Sequence, residues 1–142
     1  MKTLFLLLFL VVALFANEKN ALQAQILEKI FQNIVLQEEP LLWSDNKTLL
    51  EEIKKSNRFA TTADATKATL LIIEEKTNLP KESADVAVFV LDYALLKEIP
   101  QSFGAMFWKK GRPNVVLIEP RTQAHDIKIN EALKMYVEEK IW

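Results

Sequence analysis

The chain of 142 residues contains no cysteine, a single histidine and only two glycines. Without cysteine there are no disulfides, no thiol chemistry and no Cys-ligated metals, so stability has to come from packing. A lipid-anchored lipoprotein is excluded for the same reason. His125 has no second histidine and no Ser nucleophile motif to complete a zinc site or a catalytic triad. Gly104 and Gly111 cannot by themselves build a Gly-rich phosphate cradle. Charge of either sign is nearly balanced, at a formal −1. No basic stripe with interleaved aromatics offers a path for nucleic acid. Low-complexity segments and internal repeats are missing too.

What is present begins with MKTLFLLLFLVVALFAN. Lys2 supplies a positive start, residues 4–15 an apolar stretch and Ala16 a small residue for cleavage, which is the pattern of a secretory signal peptide. About a dozen apolar residues fall short of the roughly 20 that a membrane-spanning helix needs. The expectation is therefore a signal at 1–16, export to the periplasm, and a single domain at 17–142 with no stable membrane insertion after cleavage. Loss of Lys2 moves the net charge to about −2.

The stretch 102–119, SFGAMFWKKGRPNVVLIE, organises the domain. Two apolar runs, 103–108 and 115–118, flank a polar segment at 109–114 with Gly and Pro, and this predicts a β-hairpin. Gly104 inside the first run predicts a bulge or a close backbone approach. Uninterrupted apolar runs also occur at 70–73 and 86–91; with no alternation, each such strand must be covered on both faces. Residues 41–43 and 58–62 read as shorter strands.

Helical spacing appears at 20–36, where Leu22, Ile26, Ile30, Ile34 and Leu27, Phe31, Val35 form two adjacent rows. A second helix follows the capping residues Ser44, Asp45 and Asn46, with Leu49, Leu50 and Ile53 buried. A short helix is expected at 93–98, and a loop or single turn at 120–126. Ile129, Leu133, Val137 and Ile141 repeat every four residues and predict a closing helix. Alternating strands and helices, then a hairpin and a helix, describe an α/β three-layer sandwich with a mixed, mostly parallel sheet.

Asp45 and Asp92 each follow a strand and precede a helix, at the carboxyl ends where open α/β sheets bind ligands. With Tyr93 beside them they form a candidate ligand-binding set. The simpler reading makes both aspartates helix caps, which calls for no ligand. His125-Asp126 is the one place an imidazole could work, and a surface histidine is its plainer role. Lys109, Lys110 and Arg112 concentrate positive charge at the hairpin turn and are candidate partner contacts, or else solvated turn residues. Trp43 and Trp108 read as core or edge aromatics. Trp142, beside Lys140, reads as exposed. No cofactor or metal site is suggested.

The order of these elements resembles the YfiR-like small periplasmic regulatory proteins. The resemblance lies in KATLLIIEE (67–75), DVAVFVLDY (85–93), FGAMFWKKGRPNVVLIE (103–119) and HDIKINEALKMYVEE (125–139). The chain departs from them in having only Gly104 where a double Gly is frequent, Glu119-Pro120 where an Asn is usual, and no cysteine, so no functional residue is carried over. The resemblance implies a non-enzymatic regulator that binds the periplasmic part of an inner-membrane signalling protein. The alternative is a small-molecule-binding domain resembling one lobe of a solute-binding protein. An enzyme would need Asp45, Asp92 or His125 to converge with other polar groups.

Overall fold

The computed structural model describes residues 18–142, so the leader expected at 1–16 lies outside the described residues. Helix α1 covers 18–32 and leads into a short strand, β1 (Ile34–Val35). Then follow β2 (Leu41–Ser44), α2 (Lys47–Ser56) and β3 (Ala60–Thr61). The centre of the sheet is β4 (Leu70–Ile73) and β5 (Ala87–Val90), with helix α3 (Leu95–Glu98) after them. The hairpin is β6 (Ser102–Lys109) and β7 (Arg112–Ile118), followed by α4 (Glu119–Ala124). The chain closes with β8 (Lys128–Ile129), a 3-10 helix (Glu131–Tyr136) and β9 (Val137–Glu138).

Seven strands form one sheet in the order β3-β2-β4-β5-β6-β7-β9, and β1 pairs with β8 in a separate two-stranded sheet. Within the large sheet only the hairpin pair β6/β7 is antiparallel. The expected α/β architecture with a mostly parallel mixed sheet is what the chain adopts. Because side chains alternate across a strand, the apolar runs feed two cores. Leu70, Ile72, Phe89, Phe103 and Leu117 join Leu27 and Phe31 of α1 and Leu49 and Ile53 of α2 on one face. Leu71, Ile73, Val88, Val90 and Val116 join Leu95, Leu96 and Ile99 on the other. Phe89 links the first core, meeting Phe31 edge-on with centroids 5.5 Å apart and Phe103 at 5.6 Å. Each large side chain fully buried there contributes about 1.5–3 kcal/mol.

Gly104 fulfils both of its expectations. The β5/β6 register shifts between Val88 and Phe89, which face Ser102 and Gly104, so Phe103 is the extra residue of a bulge. A Cβ at Gly104 would sit 2.8 Å from the Val116 carbonyl oxygen and 2.9 Å from the Phe89 ring. The hairpin itself turns more tightly than the polar segment 109–114 suggests. Lys109 pairs with Arg112, leaving only Lys110 (φ 52°) and Gly111 (φ 74°) to reverse the chain. Two consecutive positive φ values make this a type I′ turn, whose twist matches the strands it joins.

Three expectations need correction. The first helix stops at residue 32, not 36, where the Asn33 side chain donates to the Lys29 carbonyl at 2.7 Å. Ile34 then pairs with Ile129 as a strand, which turns Ile34 inward and leaves Val35 53% exposed. Leu22, assigned to the same buried row, is 44% exposed. The segment 120–126, read as a loop or one turn, holds α4, with Pro120 in its first turn where a missing N–H costs nothing. The third correction is the closing segment, which is a 3-10 helix and a parallel strand rather than an α-helix over 129–141. Leu133 and Val137 pack on the first core, whereas Ile141 packs on the second. The apolar residues of this segment therefore serve opposite faces of the sheet. One helix lying on one face cannot do that, so the chain crosses the edge as β9 and pairs with Leu117 and Ile118.

Candidate functional site

The two ends of the parallel strands carry different polar chemistry. At the carboxyl end, the Asp45 carboxylate accepts from the backbone N–H of Glu74 at 2.8 Å, that of Glu75 at 2.9 Å, and Asn78 Nδ2 at 3.0 Å. Asp45 therefore fastens the chain leaving β4 to the end of β2. The α2 cap is its neighbour Asn46, whose side chain accepts from Leu49 N at 3.0 Å. Asp92 accepts from Ala94 N at 3.2 Å, a contact two residues on that holds the turn before α3, whereas the N-cap of α3 is Ala94, so Asp92 is not the helix cap either. The Tyr93 hydroxyl accepts from Trp142 N at 2.9 Å, and its ring meets Phe107 at 5.1 Å. Asp92 and Tyr93 follow β5 while Asp45 follows β2, with β4 between them. Desolvation, then repulsion from Asp45 and Glu75, raises the Glu74 carboxyl above its ordinary range, with Lys19 opposing.

At the amino end, a cleft of about 520 Å³ opens between α4, the segment entering β6 and the segment entering β5. Arg121 and His125 line it, four residues apart as on one helix face. Arg121 Nη1 donates to the carbonyls of Leu96 (2.6 Å) and Ser102 (3.0 Å), and lies 3.4 Å from that of Ile99. The Leu96 carbonyl lies in the last turn of α3, where helical partners run out, and the Ser102 carbonyl opens β6, so the guanidinium ties the end of α3 to the start of β6. Burial lowers the Arg121 pKa, although a guanidinium stays charged in a protein. His125 Nε2 lies 2.8 Å from the Gln101 carbonyl. Asp126, with φ 53°, accepts from Gln37 Nε2 at 2.8 Å. Asp85 lines the same cleft. Gln37, Asp85 and His125 also line an adjoining cleft that reaches Thr69 and Ala87 at the starts of β4 and β5.

His125 is thus half-buried and anchored by its ring, while Asp45 and Asp92 lie across the sheet from it. Four-residue strands separate the two ends by about 13 Å, at about 3.3 Å per residue. The three do not converge. No group of three or more His, Asp or Glu suited to a metal occurs among the described residues. Reading the sequence missed Arg121, Gln37 and Asp85. The one local signal was the four-residue spacing of Arg121 and His125, hidden by reading their segment as a loop.

The hairpin tip is a third polar region. Lys109, Lys110 and Arg112 are all exposed, and none forms an ion pair among the described residues. Below the tip, Trp108 packs on the first core with its Nε1 buried and unpartnered among the described residues. The Lys19 ammonium sits 5.3 Å from the Trp108 ring centroid. Trp142 is 72% exposed, as its position suggested, with Lys140 Nζ 4.3 Å from the ring centroid. No described helix is long and apolar enough to cross a membrane. Comparison with models of known protein families finds no match, and comparison with curated proteins finds no similar sequence.

Proposed function

We propose that this protein is an exported, non-enzymatic regulatory module that acts by binding another protein at its hairpin tip. The periplasmic part of an inner-membrane signalling protein is the partner that the YfiR-like resemblance implies. The observation that carries the reading is the pairing of Lys109 directly with Arg112, with Lys110 in the turn between them. Like charges opposite one another on paired strands are destabilising. Three cations, one in a two-residue turn and two flanking it, with no ion pair among the described residues, complement an acidic surface on a partner.

A photo-crosslinking residue in place of Lys110, in cells exporting the protein, tests this. Capture of one inner-membrane protein is expected, and it should disappear when Lys109 and Arg112 are both changed to Glu in a chain that still melts as the parent does. Failure to capture a membrane protein, or capture that survives the charge reversal, overturns the reading. The small-molecule alternative is favoured by a separate observation, the polar cleft at the amino ends of β4, β5 and β6.

A further inference from the structure

The cleft beside α4 has unspent polar capacity of both signs. Arg121 carries five N–H donors, and its hydrogen bonds all run from Nη1. The Nε–Nη2 edge has no partner among the described residues, and a side-on guanidinium edge of this kind takes a carboxylate with two parallel hydrogen bonds. The Nη1 contacts fix the plane of the guanidinium before any ligand arrives, which lowers the entropy cost of binding.

The acceptors are as well placed in the same cleft. Asp85 makes no hydrogen bond or ion pair among the described residues, and Asp126 uses only Oδ2 on Gln37. At His125, Nε2 must donate to the Gln101 carbonyl, so the neutral ring presents Nδ1 as an acceptor. Charge then selects the ligand class. A simple anion meets two carboxylates, and a simple cation meets Arg121. A molecule carrying both charges satisfies each group. The volume, about 520 Å³, lies within the 300–1,000 Å³ typical of small-molecule sites.

We propose that this cleft binds a zwitterion of the amino-acid class, its carboxylate on the free edge of Arg121 and its ammonium group on Asp85 and Asp126. The site is independent of the hairpin tip, and its test needs no partner protein. The purified protein is melted with each of the common free L-amino acids at 10 mM. The N-acetyl and carboxamide derivatives of any amino acid that acts are then tested, since each lacks one of the two charges. At least one free amino acid should raise Tm by about 4 °C or more, as expected for occupancy roughly tenfold above Kd. Both derivatives should lose most of that shift. Asp85→Asn touches no structural hydrogen bond, so it should melt like the parent without ligand and bind about tenfold more weakly. The proposal is overturned if none of the amino acids shifts Tm, if a singly charged derivative works as well, or if Asp85→Asn binds unchanged.

Discussion

Asp45 and Asp85 are both aspartates at ends of the same sheet, yet their surroundings have little in common. Asp45, at the carboxyl end, accepts three hydrogen bonds and holds two segments together. Asp85, at the amino end, faces a cleft with no hydrogen bond among the described residues. The rule that open α/β sheets bind ligands at their carboxyl ends assumes loops there with polar groups to spare. Here those groups close the loops on one another, while the amino end keeps Arg121, Asp85 and Asp126 partly unspent. The position of a carboxylate on a fold does not settle its role. What settles it is how many donors already reach it.

The sharpest way to break this contrast is Asp45→Ala. Glu74 N, Glu75 N and Asn78 Nδ2 lose a charged acceptor, and a loss of about 2 kcal/mol is expected. A drop of about 8 °C in Tm by calorimetry would show it. An unchanged Tm would mean that the carboxyl end is not closed by this residue. A smaller effect is expected for Tyr93→Phe, which keeps the ring contact with Phe107 and removes the acceptor for Trp142 N. About 1 kcal/mol should be lost, together with faster hydrogen exchange at the Trp142 amide.

The smallest effect sharpens the electrostatics of the same end. The Glu74 carboxyl is raised in the folded chain, chiefly by desolvation. A raised carboxyl binds protons more readily folded than unfolded, so its penalty on stability is absent below the ordinary Glu range. The penalty grows as pH rises through the folded value. Glu74→Gln should therefore raise Tm slightly at pH 7, and the advantage should vanish as pH falls below about 4. Paired melts at the two pH values check the sign.

Much of the fold was legible in the residues because burial on two faces leaves a plain mark. The runs at 70–73, 86–91, 103–108 and 115–118 all became sheet strands, and Gly104 marked its bulge. The closing segment was not legible in this way. Spacing every four residues places Leu133, Val137 and Ile141 on one helix face, but it cannot reveal that the last of them belongs to the opposite side of the sheet. The sites were obscured by distance. Asp45 and Asn46 are equally good caps by type, and what separates them is a pair of backbone amides 29 and 30 residues away. Arg121 acquires its meaning from carbonyls 19 to 25 residues earlier.

The pairing of Ile34 with Ile129 also bears on the timing of folding. It closes a loop of about 95 residues, an entropy cost that must be met before the contact returns anything. Through it α1, which covers the first core, is tied directly to the segment that leads to the last strand. A chain emerging from its amino terminus can form α2 and the central strands early, but this clasp must wait until residue 129 is free. The two ends of the described chain are therefore joined by one of the last contacts to form, after the larger sheet has its central strands in place.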